Sequence, residues 1–208
     1  LIVYGVVPSL STDHGRFAIR SPLLTRYPGY MANQHTEVAM SVHLILGGAR
    51  SGKSSHAERL ALASQGPLHY IATAEAGDAE MADRLERHQA QRSPRFETCE
   101  CPLTLPEELA KRGQPGHTVL VDCLTLWLSN CLLTTPDSWL EKRAALLDQL
   151  RETQADVLLV SNEVGQGIVP LGALNRRFVD EAGWLHQAIA KQADQVTWVV
   201  AGLPQKLK

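Results

Sequence analysis

The chain has 208 residues, of which 44% are hydrophobic and 20% are charged, which is enough apolar material to bury one domain-sized core. Its 22 acidic and 20 basic residues give a net charge of -2. This balance argues against a nucleic-acid coat protein and against a polybasic membrane-binding protein.

Residues 1–39 contain scattered Pro, Gly, Ser and Thr and show no clear hydrophobic periodicity. The initial run LIVYGVV is apolar but short, and no apolar run in the chain reaches the roughly 18 residues of a membrane-spanning helix. We therefore expect residues 1–39 to form a poorly ordered N-terminal extension and residues 40–208 to form the folded domain, without membrane insertion. A transit peptide is the alternative interpretation of 1–39, although this stretch has only three Arg.

From Val42 onward, short apolar runs alternate with longer helical patterns. The runs are nearly continuous rather than alternating, which is typical of parallel strands buried on both faces. The predicted strands cover residues 42–48, 67–74, 118–124, 156–164 and 195–202. The predicted helices cover residues 53–64, 78–91, 105–112, 124–133, 137–153 and 171–192, and the last of these has room for a break. This order predicts an α/β domain of three layers, with a mostly parallel sheet and helices on both faces.

The strongest motif follows the first predicted strand. The segment GGARSGKS, Gly47 to Ser54, matches the phosphate-loop pattern G-x-x-x-x-G-K-[ST] in full. Its backbone N–H groups and the start of the next helix would face phosphate oxygens, Lys53 would reach the β- and γ-phosphates, and Ser54 would bind Mg²⁺. Arg50 can be either an exposed loop residue or a further phosphate contact.

Acidic and amide side chains follow two other predicted strands. Asp122 ends the run TVLVD, where a phosphate-loop enzyme carries its Mg²⁺-binding acid. Asn162 and Glu163 end another apolar run and would lie at the same sheet edge, where ligands bind in open α/β sheets. The alternative for this pair is a loop start with a helix cap.

The predicted helix over 78–91 places a histidine between two arginines. Arg84, His88 and Arg92 are spaced by four residues and so share one helix face. A cationic stripe with a central histidine suits a phosphate-rich ligand, and histidine can act as a covalent nucleophile. A solvated helix face explains the same spacing.

The four cysteines do not form a recognisable framework. Cys99 and Cys101 form a C-x-C pair, but no second pair has zinc-site spacing, and Cys123 and Cys131 lie in apolar segments. We interpret all four as structural thiols, which fits a protein of the reducing cytoplasm.

Four segments together resemble one enzyme family. GGARSGKS, YIATA, E-M-x-x-R-L-x-x-H-x-x-x-R and S-N-E-V-G-x-G-I-V-P, in this order, are similar to the bifunctional adenosylcobinamide kinase / adenosylcobinamide-phosphate guanylyltransferases of cobalamin biosynthesis. The resemblance runs from about Val42 to Lys208. It implies a RecA-like P-loop fold and a homo-oligomer, since the family assembles as trimers.

The resemblance implies two reactions with Mg²⁺ as cofactor. The first phosphorylates the aminopropanol hydroxyl of adenosylcobinamide with ATP or GTP. The second transfers GMP from GTP to that phosphate through a guanylyl-histidine, which gives adenosylcobinamide-GDP and pyrophosphate. The implied catalytic residues are His88 and Lys53, and the implied metal ligands are Ser54 and Asp122.

The implied GTP-binding set is carried over by position. At the Asp122 position the family often has Glu, and Asp is one methylene shorter. The set comprises Gly47, Gly48, Ala49, Arg50, Ser51, Gly52, Lys53, Ser54, Ala72, Thr73, Ala74, Gln89, Ala90, Gln91, Arg92, Glu100 and Asp122.

Two alternative functions would use different residues of the chain. A P-loop small-molecule kinase without guanylyl transfer would share Lys53, Ser54 and Asp122 but would have no use for His88. A RecA-type module acting on nucleic acid is disfavoured by the near-neutral charge and by the lack of a basic, aromatic-rich strip. The expected partners are therefore adenosylcobinamide, its phosphate, ATP and GTP, with no nucleic acid.

Overall fold

The structure, a computed structural model, describes residues 40–75 and 92–208. The predicted extension over 1–39 and the predicted helix over 78–91 lie outside the described residues. The boundary between extension and domain stays a prediction.

Seven strands and five α-helices are present in these two ranges. The strands are β1 Val42–Gly47, β2 Leu68–Ala72, β3 Phe96–Glu100, β4 Thr118–Asp122, β5 Asp156–Asn162, β6 Gln195–Val200 and β7 Leu203–Lys206. The helices are α1 Lys53–Leu62, α2 Leu105–Arg112, α3 Leu124–Thr134, α4 Trp139–Glu152 and α5 Ala173–Gln192, with a 3₁₀ turn at Pro136–Ser138.

The strands form one sheet in the order β3-β2-β4-β5-β1-β6-β7. All neighbours pair in parallel except β6 and β7, which are antiparallel. The central strands β1 and β2 are buried along their whole length. The five predicted parallel strands are thereby confirmed, because continuous apolar runs are what a sheet covered on both faces requires.

Helices cover both faces of the sheet. On one face, α2, α3, α4 and α5 enclose the larger core, in which the rings of Trp127 and Trp139 lie 5.2 Å apart between centroids. On the other face, Ala57 and Ala61 of α1 pack over the second core. The predicted three-layer α/β fold, with a mostly parallel sheet and helices on both faces, is confirmed.

The structure corrects several predicted boundaries. The sequence reasoning missed β3 and β7, and it placed the 3₁₀ turn at Pro136–Ser138 partly inside a helix over 137–153. The predicted helix over 171–192 begins at Ala173 and is continuous. Within the part of the chain that the structure describes, no helix is long and apolar enough to cross a membrane.

The four cysteines are free thiols, as the sequence predicts. Cys101, Cys123 and Cys131 are buried, and Cys99 is half-buried. Burial raises the pKa of each thiol, so that all four stay protonated near neutral pH.

Buried His43 and half-buried His186 should make the stability depend on pH. His43 Nε2 lies 2.8 Å from Thr197 Oγ1, and His186 Nε2 lies 2.7 Å from Ser161 Oγ. Burial lowers the pKa of both His43 and His186 to about 4. In the unfolded chain these two imidazoles take up protons near pH 6.5, whereas in the folded chain they do so only near pH 4. Stability is therefore expected to fall as the pH drops from about 6.5 to about 4, by at most about 3 kcal/mol for each histidine.

Urea unfolding at pH 7 and pH 5 tests this prediction. His186→Gln removes one titrating group while keeping a polar side chain opposite Ser161, so the difference between the two pH values should shrink. The prediction is wrong if the variant loses as much stability between pH 7 and pH 5 as the wild type does.

Candidate nucleotide-binding site

The phosphate loop connects β1 to α1 and is closely packed. The Ser51 N–H donates to the Gly48 carbonyl at 3.2 Å. A Cβ on Gly47 would lie 2.5 Å from Ser51 Oγ and 2.6 Å from the Val199 carbonyl oxygen, and Gly52 has a φ of +94°. Glycine is therefore required at both positions, in one case for space and in the other for backbone conformation.

Lys53 is the first residue of α1 and is only 8% exposed. Its Nζ donates to the Gly48 carbonyl at 3.1 Å, so the ammonium group folds back over the loop. Ser54 follows in the first turn, where the helix dipole is positive. The loop thus presents a cation, a hydroxyl and a helix N-terminus together, which is the arrangement that binds a triphosphate.

Two neighbouring segments hold the phosphate loop from outside. The Gly202 N–H, in the turn between β6 and β7, donates to the Ser51 carbonyl at 2.8 Å. The Glu163 N–H, directly after β5, donates to the Gly47 carbonyl at 3.0 Å. Arg50 is exposed and has a φ of +55°, and its contact with phosphate stays a prediction.

Asp122 lies at the same edge of the sheet as the phosphate loop. It ends β4 opposite Val160 of β5, and two residues later β5 pairs Asn162 with Gly47. Since β5 alone separates β4 from β1, the two strands lie about 10 Å apart. Asp122 Oδ2 accepts a hydrogen bond of 2.9 Å from the Tyr70 hydroxyl, which fixes the direction of the carboxylate.

The donor set fits a magnesium ion. Mg²⁺ binds through one or two protein oxygens together with phosphate oxygens and waters. The Ser54 hydroxyl and the Asp122 carboxylate are oxygens of this kind, and both lie at the carboxyl edge of the sheet. We expect these two residues to hold the ion that accompanies the nucleotide, and this assignment stays a prediction.

Asp122→Asn should weaken the Mg²⁺-dependent steps. The amide can still accept the Tyr70 hydrogen bond but lacks the charge that attracts a hard cation, so half-maximal activity should need about 10- to 100-fold more Mg²⁺. A Mg²⁺ titration of the reaction rate measures this. Asp137→Asn is the matched control, because Asp137 is exposed in the 3₁₀ turn. An unchanged titration for Asp122→Asn would exclude Asp122 as a metal ligand.

The ends of β2, β3 and β4 bring four predicted residues together. Ala72 pairs with Asp122 on one side and with Glu100 on the other. Thr73 is fully buried, and its hydroxyl donates to the Cys123 carbonyl at 2.7 Å and accepts from the Cys123 N–H at 2.8 Å. The Thr73 side chain therefore fixes the end of β4 rather than facing the open edge.

The histidine segment is described only at its end. Arg84, His88, Gln89, Ala90 and Gln91 lie outside the described residues. The Arg92 guanidinium lies 3.9 Å from the centroid of the Tyr70 ring. The end of the segment is therefore next to the residue that binds Asp122.

Asn162 and Glu163 are engaged in local contacts. Asn162 Nδ2 donates to Thr125 Oγ1 at 2.9 Å, and the two Glu163 carboxylate oxygens accept from the N–H groups of Gly165 at 2.7 Å and Gln166 at 3.2 Å. This geometry favours the loop-start alternative, with the carboxylate closing a turn instead of capping a helix. Beyond the turn, Ile168 and Leu171 are almost fully exposed.

Sequence reasoning overlooked two side chains of this edge. Tyr70 belongs to the YIATA segment, but the motif alone indicates no role for it. It lies two residues before Ala72 in the same strand, so both side chains are on one face of the sheet. Asn130 of α3 donates through Nδ2 to the carbonyls of Thr73 at 2.9 Å and Pro102 at 3.2 Å. No sequence signal separates Asn130 from other polar helix residues.

Comparisons with known proteins agree with this geometry. The family model described as cobinamide kinase / cobinamide phosphate guanyltransferase (CobU) matches residues 43–207. The chain is 55% identical to the bifunctional adenosylcobalamin biosynthesis protein CobP of Pseudomonas aeruginosa over 166 residues, which is 79% of this chain and 96% of that protein.

More distant similarities cover a comparable part of the chain. It is 38% identical to the bifunctional adenosylcobalamin biosynthesis protein CobU of Escherichia coli over 179 residues, 79% of this chain and 98% of that protein. Among solved structures, the P4 protein of bacteriophage phi6 in complex with ADP has a TM-score of 0.45 and 14% identity, covering 89% of this chain and 60% of that one. The family match and the two curated relatives show that the chain belongs to the cobinamide kinase / cobinamide phosphate guanyltransferase family.

Proposed function

We propose that this chain catalyses both reactions of its family in cobalamin biosynthesis. It phosphorylates adenosylcobinamide with ATP or GTP and then transfers GMP from GTP to adenosylcobinamide phosphate. The observation that carries this proposal is the complete phosphate loop, Gly47 to Ser54, within a family match over residues 43–207.

In the kinase reaction, the substrate hydroxyl oxygen attacks the γ-phosphorus. The new P–O bond forms as the bond to the nucleoside diphosphate breaks, and the hydroxyl proton is released. Lys53 and the N–H groups of the phosphate loop offset the negative charge on the phosphates. Mg²⁺, held by Ser54 and Asp122, would supply further charge neutralisation.

In the transfer reaction, His88 is the proposed nucleophile toward the α-phosphorus of GTP. A P–N bond forms as the bond to pyrophosphate breaks, and a phosphate oxygen of the second substrate then displaces the histidine. Two successive displacements allow one nucleotide site to serve both substrates. The supporting observation is the H-x-x-x-R spacing of His88 and Arg92, since Arg92 lies over the ring of Tyr70, whose hydroxyl binds Asp122.

Conversion of adenosylcobinamide tests the proposal. With ATP alone, the expected product is adenosylcobinamide phosphate; with GTP, it is adenosylcobinamide-GDP together with pyrophosphate. Mass spectrometry of the corrinoid products distinguishes them. Accumulation of the phosphate in the presence of GTP, with no GDP derivative, would identify a kinase without guanylyl transfer. If no corrinoid is modified, the proposed function is wrong.

We propose in addition that the protein acts in the cytoplasm as a homo-oligomer, a trimer by resemblance to its family. Light scattering coupled to gel filtration measures the mass directly. A monomeric mass for the active protein would contradict the trimer.

A further inference from the structure

The side chain of Tyr70 contacts two predicted nucleotide-binding groups that belong to different segments. Tyr70 lies in β2 and is 1% exposed. Its hydroxyl donates to Asp122 Oδ2 at 2.9 Å, and its ring centroid lies 3.9 Å from the Arg92 guanidinium carbon. One rigid aromatic side chain therefore joins the end of β4 to the end of the histidine segment.

Two guanidinium nitrogens of Arg92 have no hydrogen-bond acceptor among the described residues. Its Nε and Nη1 are buried without a hydrogen-bond partner, and no carboxylate oxygen of residues 40–75 or 92–208 lies within 4.0 Å of its guanidinium nitrogens. The Tyr70 ring face offsets part of this charge. Buried N–H donors of a guanidinium otherwise need acceptors, so the position fits an anion with several oxygens, such as a phosphate group.

Tyr70 is buried beside several charged side chains. Burial, and secondly the Asp122 carboxylate, raise the pKa of Tyr70 far above its ordinary value. Burial, and secondly Asp122, also raise the pKa of Glu58 on α1, while Arg92 opposes this shift. Asp122, Glu58 and Arg92 therefore all lie within electrostatic range of the Tyr70 side chain.

We propose that Tyr70 is a positioning residue that sets Asp122 and Arg92 relative to each other, so that a carboxylate for the metal and a guanidinium for a phosphate group are prearranged before the nucleotide arrives. Prearranged groups lose less conformational freedom on binding and so bind more tightly. That the ligand is a nucleotide rests on the proposed function.

Two substitutions separate the two contacts. Tyr70→Phe keeps the ring under Arg92 and removes only the hydroxyl, so binding of Mg²⁺-GTP should weaken by about tenfold while binding of GTP in EDTA changes by less than about twofold. Tyr70→Leu removes both contacts, so GTP binding should weaken in EDTA as well. Equilibrium binding to the full-length protein, measured with GTP alone and with Mg²⁺-GTP, reports both effects.

Double variants show whether the effects pass through the proposed partners. Once Asp122→Asn is present, adding Tyr70→Phe should change Mg²⁺-GTP binding by less than about twofold, because its target charge is gone. Likewise, Tyr70→Leu added to Arg92→Ala should not weaken binding in EDTA further. Non-additivity of this kind is not produced by general loosening of the core.

Phe96→Leu is the matched control. Phe96 packs edge-on against Tyr70, with ring centroids 5.6 Å apart, and it is itself buried in the same core. This substitution should lower the melting temperature while leaving the difference between GTP and Mg²⁺-GTP binding unchanged.

The proposal is overturned if Tyr70→Phe binds Mg²⁺-GTP like the wild type, if its effect persists in the Asp122→Asn background, or if Phe96→Leu reproduces it. Tyr70→Phe is close to isosteric, so the test remains decisive if Tyr70→Leu does not fold. Since GTP binding is measured without corrinoid, failure of the wild type to modify adenosylcobinamide would reject the proposed function alone.

Discussion

Lys53→Ala is expected to abolish productive use of triphosphates while leaving the fold intact. The Lys53 ammonium is held over the phosphate loop by the Gly48 carbonyl, where it would meet the β- and γ-phosphates. Losing a charge-assisted contact of this kind costs on the order of 2–5 kcal/mol in affinity or transition-state stabilisation. The corresponding loss in kcat/KM is roughly 30-fold to several thousand-fold.

Steady-state rates for both half-reactions and a melting curve measure this effect. Lys206→Ala is the control, because Lys206 lies exposed on β7 and its removal changes the net charge equally. The control should keep its activity. Wild-type rates for Lys53→Ala would refute the assignment of the phosphate loop.

His88→Ala is expected to eliminate guanylyl transfer and to spare much of the kinase reaction. The neutral imidazole of a histidine is a nucleophile that can carry a covalent phosphoryl or nucleotidyl group. Attack on the α-phosphorus requires the charge of the triphosphate to be offset, for which Arg84, Arg92 and Lys53 are the candidates. Without the imidazole no covalent intermediate forms, whereas transfer of the γ-phosphate does not need one.

Covalent labelling with GTP labelled in the α-phosphate provides the measurement. The wild type should retain the label on a denaturing gel. A P–N bond is labile in acid and stable in base, so acid should release the label and base should not. Labelling of His88→Ala would assign the nucleophile to another residue, with His56 as the next candidate. His56 is buried against Arg59, whose Nη2 lies 2.8 Å from His56 Nδ1, so His56 would need to leave this contact first.

The parts of the structure that could be predicted are those whose conformation is determined by residues close together in the sequence. Parallel strands buried on both faces require continuous apolar residues, and such runs located five of the strands. Gly47 and Gly52 were identifiable because the loop conformation tolerates only glycine there. The phosphate-loop motif and the strand order together placed Asp122 at the same edge.

The missed parts depend on contacts between distant segments. In β3 only Phe96 is buried, and β7 is exposed along its whole length, so neither strand carries a continuous apolar run. Both are edge strands, defined by the neighbour with which they pair. The role of Tyr70 likewise depends on two residues that approach it in the folded chain, 52 positions away in the case of Asp122. Pattern and propensity do not contain this information.

The turn between β6 and β7 couples the C-terminal hairpin to the phosphate loop. Because the Gly202 N–H binds the Ser51 carbonyl, any ligand that orders the phosphate loop also restricts local opening of this hairpin. By the reciprocity of linked equilibria, fraying of the hairpin lowers nucleotide affinity by the same free energy. The last strand contributes no residue to the predicted nucleotide-binding set, but its local opening is thus thermodynamically coupled to nucleotide binding.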